Sequence, residues 1–382
     1  MMKIPFNKIY LTGNELKFIE EAFNKESVSG DGYFTSKVSS FLEEVFSIPK
    51  VLMTTSATHA LDMAMMLINL GPKDEVIMPS FTFPSTANSV MLQGATPVFA
   101  DILPTTLNIN PDDLEKRITK NTKAIIPVHY GGVGCEMDRI INIANKYNLY
   151  IIEDAAQAVN SKYKDKFLGT WGHLACYSFH GTKNYISGEG GALVINSKDD
   201  KLIERAEIIR QKGTNRNKFL KGEVDKYTWV DIGSSYTPSD ILMALLYGQL
   251  QHLDVIKERR GKIVHYYIDG LNRHLESGLI KGMTSLWEHQ DSNHHLFYII
   301  LDNETIRDKV INKLRNVGIY AATHFEPLHS SSMGQGLGYK LGDLPITERV
   351  SKTLLRLPLY TNMTIEEADY VVHQLDEILK EI

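Results

Sequence analysis

Only two cysteines, Cys135 and Cys176, occur in 382 residues. They have no CxxC spacing and no histidine at metal-ligand distance along the chain, which argues against a disulfide framework or a zinc module and for reduced thiols. An excess of one charge is also missing. With 41 Lys and Arg against 46 Asp and Glu, a net charge of -5, there is no basic footprint for nucleic acid. No apolar run reaches membrane-spanning length. The opening Met1-Met-Lys-Ile-Pro-Phe6 lacks the charged-then-apolar pattern of a secretory leader, so a cytoplasmic location is expected. Repeats and low-complexity segments are absent as well. What remains, 43% apolar and 23% charged residues, suits a chain with a large core and room for two domains.

The pattern that is present alternates strands with helices. Apolar spacing over Asn14 to Asn24 predicts an amphipathic helix ended by Ser29-Gly-Asp-Gly32. The small polar run Thr54-Thr-Ser-Ala-Thr58 leads into a helix, Ala60 to Ile68, apolar nearly all round and stopped by Gly71-Pro72. A buried helix with that start turns free N–H groups toward a cavity and suits a phosphate, although a plain Ser/Thr cap has the same spelling. Strands are expected at Glu75 to Met78, Thr96 to Asp101, Thr122 to Tyr130, Tyr150 to Asp154, Ala175 to Phe179 and Ala192 to Asn196. Helices follow Pro84, carry Leu114 and Ile118, and span Met137 to Tyr147. Continuous apolar strands separated by helices predict an α/β fold with a mostly parallel sheet covered on both faces.

Beyond Asn196 a helix to about Lys212 and a long irregular segment, 213 to 236, are expected; such a segment is uncommon unless it binds something. Helical spacing then persists from Ser239 to about Leu275, with a domain boundary inside it near residue 250. Residues 1–250 would form the large domain and 251–382 a smaller α+β domain. The latter would hold strands His295 to Leu301 and Tyr320 to Phe325, a helix Glu304 to Val317, and a last helix opened by the capping box Thr364-Ile-Glu-Glu367.

In a parallel sheet ligands sit at the carboxyl ends of the strands. Phe83, His129, Asp154, Gln157, Ser178 and Lys183 all fall there. A lysine at the end of a buried strand is costly unless paired or neutralised by chemistry, and condensation with an aldehyde is one such route. Together the residues meet the needs of pyridoxal phosphate. Lys183 would trap the aldehyde, Asp154 would keep the ring nitrogen protonated, and Gln157 would reach the ring hydroxyl. Ala57, Thr58 and Ser178 would hold the phosphate, and Phe83 would lie against the ring. Each also has a structural explanation: a strand-end acid, a core aromatic, a capped hydroxyl, a packed histidine, a solvated loop lysine.

The motifs Thr55-Ser-Ala-Thr58, Pro79-Ser-Phe-Thr-Phe83, Glu153-Asp-Ala-Ala-Gln157 and Ser178-Phe-His-Gly-Thr-Lys-Asn184 resemble the DegT/DnrJ/EryC1/StrS sugar-nucleotide aminotransferases over essentially the whole chain. Gly213-Thr-Asn-Arg216, Lys226 to Tyr236 and Leu354 to Tyr360 are similar, more narrowly, to the dTDP-4-amino-4,6-dideoxygalactose transaminase branch. The resemblance implies a fold-type I enzyme with a seven-stranded mixed sheet, active as a homodimer with shared active sites. It gives Lys183, Asp154, Gln157, Phe83, Ala57, Thr58 and Ser178 the cofactor roles above. Ser235 stands where many relatives place an Asn on the neighbouring subunit's cofactor phosphate, and Ala57 where glycine is frequent. The implied substrates are dTDP-4-keto-6-deoxy-D-glucose and L-glutamate, and the implied setting is surface polysaccharide synthesis. The gluco product is the first alternative. Amination at C3, a dehydratase and a non-catalytic sensor come after it. A family branch that dehydrates carries histidine at the lysine position; here Lys183 is present and His180 only nearby.

Overall fold

The computed structural model describes residues 2–26 and 28–381, so the outermost residues of the expected domains, Met1 and Ile382, lie outside the described residues. The chain opens with helices α1 (Glu15–Asn24) and α2 (Tyr33–Val45) and enters the main sheet at β1 (Lys50–Thr54). Then follow α3 (Ala57–Leu67), β2 (Glu75–Pro79), α4 (Pro84–Met91), β3 (Thr96–Ala100), α5 (Pro111–Lys116), β4 (Thr122–Ile125), α6 (Met137–Tyr147) and β5 (Tyr150–Asp154). A small ribbon, β6 (Lys162–Tyr163) and β7 (Lys166–Phe167), precedes β8 (Leu174–Ser178) and β9 (Gly191–Ile195).

The main sheet has seven strands in the order β1-β9-β8-β5-β4-β2-β3. All neighbours run parallel except β9, which is antiparallel to both β1 and β8. The alternation of side chains sorts residues into two cores. Leu52, Leu174 and Cys176 face one cluster, with α3 packed on it, while Val51, Met53, Ala175 and Tyr177 face the other, beneath α2. Helix α3 buries Leu61, Met63, Met65 and Leu67, each contributing about 1.5–3 kcal/mol of transfer free energy. That burial forces the start of the helix to the sheet's carboxyl edge.

The second half of the chain contains α7 (Asp200–Arg210), α8 (Arg216–Leu220), α9 (Asp240–Leu250), α10 (Leu253–Glu276), β10 (Gly282–Met283), β11 (Gln290–Asp291) and β12 (Phe297–Ile300). After these come α11 (Glu304–Asn316), α12 (Ser332–Gly336), α13 (Pro345–Thr353), β13 (Leu354–Leu357) and α14 (Ile365–Lys380), the last with its capping box in place. A three-stranded sheet, β10-β12-β13, buries Phe297, Ile299, Leu355 and Leu357 in a third core that also takes in Ile4 from the amino-terminal segment.

Several local expectations change. The strand expected over Thr122 to Tyr130 ends at Ile125, and the segment 213 to 236, expected to be irregular, contains α8. The single helix from Ser239 is two, broken at Gln251 and His252; the spacing persists because both halves pack apolar faces inward. Tyr320 to Phe325 is not a strand. Only Ala322 bridges Arg356, and the carbonyl of the next residue, Thr323, is taken by the Arg356 side chain, so the ladder stops. Helix α2 and strand β1 were not expected. The two cysteines are buried and unpaired, and among the described residues no helix is long and apolar enough to cross a membrane.

Candidate active site

At the carboxyl edge of the main sheet lies a cavity of about 670 Å³, bordered on its far side by β13 and the segment 323–325. Ala57, Thr58, Phe83, Asp154, Gln157, Ser178 and Lys183 all line it. His129 and Ser235 do not. His129 is fully buried behind the sheet end, and Ser235 is exposed on the loop before α9.

Lys183 is delivered by a pinned loop. Phe179 N–H donates to the Gly190 carbonyl at 2.8 Å, Ser187 N–H to the Phe179 carbonyl at 2.8 Å, and Lys183 N–H to the His180 carbonyl at 2.8 Å. Burial lowers the Lys183 pKa from its ordinary value, while the nearby Asp154 carboxylate opposes that shift and Arg356 reinforces it. A larger fraction of its amine is therefore in the nucleophilic, uncharged form than for a lysine in water.

Asp154 ends β5. Its Oδ2 accepts the Thr86 hydroxyl at 2.9 Å, and its Oδ1 the Ala156 N–H at 3.2 Å and the Cys176 thiol at 3.6 Å, so the carboxylate is held by three donors and still faces the cavity. The preceding residue points the other way. Glu153 accepts N–H groups from Gly169, Trp171 and Gly172 at 2.7–2.8 Å. Its Oε2 also meets His129 Nε2 at 2.9 Å. Because His129 Nδ1 accepts from Cys135 N–H, its hydrogen sits on Nε2, and the ring is a fully satisfied structural group.

Gln157 Oε1 accepts the Gly131 N–H at 2.7 Å, which leaves its amide hydrogens for the cavity. At the start of α3 the Ser56 side chain caps His59 N–H, and the N–H groups of Ala57 and Thr58 have no partner within the helix. Strand β9 passes this end so closely that a Cβ on Gly191 would stand 2.3 Å from Ala57 N. Phe83 precedes α4 and is 59% exposed, a large aromatic face left uncovered by protein.

Sequence reasoning missed other members of the wall. Thr86 and Arg260 line the cavity from helices, His295 and His324 from loops and Arg356 from the short strand β13, outside the main sheet. Arg260 and Arg356 form no ion pair among the described residues, and burial depresses both guanidiniums, Arg260 to about 10. The donor set fits pyridoxal phosphate. It provides a buried amine of lowered pKa, a carboxylate held on the same cavity, unpartnered helix N–H groups for a dianion and an open aromatic face. No group of three or more His, Cys, Asp or Glu among the described residues would hold a metal.

Comparison with known proteins supplies a family. The model of the DegT/DnrJ/EryC1/StrS aminotransferase family matches residues 10–376. The chain is 33% identical over 374 residues to the GDP-perosamine synthase of Caulobacter vibrioides, covering 97% of this chain and 96% of that one. To the spore coat polysaccharide biosynthesis protein SpsC of Bacillus subtilis it is 35% identical over 335 residues, covering 85% and 84%. The solved structure of the putative sugar aminotransferase Spr1654 from Streptococcus pneumoniae, in its PMP-form, superposes with a TM-score of 0.92 at 26% identity, covering 100% of this chain and 98% of that one. Its PLP-form does so at 0.91.

Proposed function

The chain belongs to the DegT/DnrJ/EryC1/StrS aminotransferase family and is a sugar aminotransferase dependent on pyridoxal phosphate, and from that premise we propose its substrates and the part each residue plays. The keto substrate is dTDP-4-keto-6-deoxy-D-glucose, the amino donor is L-glutamate, and the product is dTDP-4-amino-4,6-dideoxy-D-galactose, made for a surface polysaccharide such as enterobacterial common antigen or O-antigen. The observation that carries the reading is the meeting of Lys183, Asp154 and the start of α3 on one cavity. The narrower assignment to a dTDP sugar rests on the segments 213–216, 226–236 and 354–360.

Bound pyridoxal phosphate supplies an electron sink and carries the amino group from donor to acceptor. Lys183 Nζ would hold the cofactor and would serve as the base that moves a proton between the cofactor and substrate carbons; burial lowers its pKa and so raises the share of free amine available for both roles. Asp154 would hold the proton of the ring nitrogen. The free amide hydrogens of Gln157 would serve the ring oxygen. The N–H groups of Ala57 and Thr58, with the Ser178 hydroxyl, receive the phosphate, and Phe83 covers one ring face.

Ser235 completes the phosphate site of a second copy in a homodimer. The exposure of Trp229 (80%) and Tyr227 (53%) on the same loop supports that assembly. The domains run 1–250 and 251–382, and the enzyme works in the cytoplasm.

A second reading exchanges the nucleotide. The similarity to a GDP-perosamine synthase over nearly the full length favours a GDP-linked keto sugar as the alternative. One experiment separates them. The purified enzyme is incubated with glutamate and either dTDP- or GDP-4-keto-6-deoxyhexose, and the products are analysed by mass and NMR. Amination of the dTDP sugar with the new C4–N bond axial supports the first reading. The equatorial epimer points to the gluco product, and turnover of the GDP sugar alone overturns the dTDP assignment.

A further inference from the structure

We propose that His295 and His324 form a matched acceptor and donor that read one hydroxyl group of the sugar, the one beside the carbon being aminated. The proposal rests on the sugar-aminotransferase reading and deepens it.

Hydrogen-bond accounting fixes the tautomer of each ring. Asn184 follows Lys183 directly. Its Nδ2 donates to the Asn293 carbonyl at 2.7 Å, so its oxygen is the atom that stands 2.9 Å from His295 Nδ1. An amide oxygen only accepts, so the hydrogen lies on Nδ1 and a lone pair is left on Nε2. The opposite holds at His324, whose Nδ1 is 2.6 Å from the Tyr130 hydroxyl. Tyr130 is fully buried and its hydroxyl meets no other hydrogen-bonding group among the described residues. Were the ring the donor, the phenolic hydrogen would be stranded in the core; the phenol therefore donates, and His324 carries its hydrogen on Nε2.

The charged form of each ring is disfavoured. Burial, first, pushes each well below the usual histidine range, and the positive charges of Lys183 and Arg356 push in the same direction. Neither Nε2 has a hydrogen-bond partner among the described residues, and both residues line the cavity.

The backbone under each ring is clamped. Arg260 grips the carbonyls of His294 and His295 at 2.9 and 2.6 Å. Arg356 grips the carbonyl of Thr323, just before His324, at 2.7 and 3.0 Å. The His324 ring stacks on Phe325 at 3.8 Å and 22°, next to Phe83, so the polar pair borders an apolar wall.

A lone pair and an N–H offered to one cavity select among chemical groups. A ketone or carboxylate only accepts and would meet the bare nitrogen of His295; an ammonium only donates and would meet the hydrogen of His324. A hydroxyl does both at once. Hydroxyls presented next to an apolar ring face are what a pyranose offers. Asn184, bonded to His295, directly follows Lys183, and both histidines share the lysine's cavity.

The test compares kcat/KM for dTDP-4-keto-6-deoxy-D-glucose and its 3-deoxy counterpart. The wild-type enzyme should favour the hydroxylated ketone by roughly tenfold to a hundredfold. His295→Phe and His324→Phe should each bring that ratio toward one, whereas damage to the fold lowers both substrates alike. His295→Gln, which restores an acceptor oxygen, should recover part of the ratio, and His295→Ala and His324→Ala serve if the phenylalanine variants do not fold. A wild-type ratio near one, or variants that lose both substrates in proportion, overturns the pair and leaves the transaminase reading intact. If neither the dTDP ketone nor its GDP counterpart is aminated, the substrate reading fails first and the pair falls with it.

Discussion

The Thr86 hydroxyl donates to Asp154 Oδ2 across 2.9 Å, and Thr82 Oγ1 stands 2.9 Å behind it, so α4 steadies a carboxylate that belongs to β5. A hydrogen bond to a charged group is worth about 1.5–3 kcal/mol. Thr86→Val should lower kcat by about tenfold or more, and Thr86→Ser should restore most of it. Unchanged kcat in the valine variant would show that Asp154 does not need this support.

Asp154→Asn keeps the shape and the Ala156 contact but removes the charge. Activity should fall on the order of a hundredfold, with a thermal midpoint close to wild type. Near-wild-type kinetics would remove Asp154 from the ring-nitrogen role.

Lys183→Ala should fold and still bind cofactor, with turnover reduced about a thousandfold or more. The acid–base behaviour of this lysine can be read without turnover. Burial favours the uncharged amine, so in cofactor-free protein its acylation should rise with pH around a midpoint below the ordinary 10.5. Asp154 holds the midpoint up, so Asp154→Asn should lower it further. Peptide mass spectrometry gives the labelled fraction, and a midpoint at or above the ordinary value contradicts the burial argument.

Gly191→Ala puts a methyl group 2.3 Å from Ala57 N and from the Ser56 carbonyl carbon, both backbone atoms that move only if β9 or the start of α3 moves. Overpacking of this kind costs about 1–3 kcal/mol. The variant should melt earlier and bind pyridoxal phosphate more weakly; equilibrium dialysis beside a thermal melt measures both. Tight binding with a lowered melt would separate the strand's packing from the phosphate site.

Asp101 lies at the end of β3 yet caps α13, accepting Ile346 N–H, Thr347 N–H and the Thr347 hydroxyl at 2.7–3.0 Å. Asp101→Ala should destabilise the protein by roughly 1–3 kcal/mol, read from chemical denaturation. A change within error would mean that water replaces the cap.

These long-range caps also explain what the sequence conceals. Helix α2 has no cap of its own. Asp240 holds its Phe34 and Thr35 N–H groups from more than 200 residues away, so no local signal marks its start. Strand β1 offers a short apolar run, Val51-Leu-Met53, too brief to stand out until β9 pairs with it. The interior strands were legible because they are continuous apolar runs between helices. In the cavity, the residues at strand ends were legible for the same reason. Arg260, His295, His324 and Arg356 were not, since only the docking of the last third of the chain brings them there.

Glu153 and Asp154 are neighbours in sequence with opposite assignments, one anchoring the loop at 169–172 and the other facing the cavity. Strand geometry alternates strictly, so insertion or deletion of a single residue in Tyr150–Asp154 would rotate both acids by half a turn. The loop anchor would then swing into the chamber and the cavity-facing carboxylate into the interior. The strand therefore tolerates a change of letter more readily than a change of length, because one residue more or less misplaces two carboxylates at once.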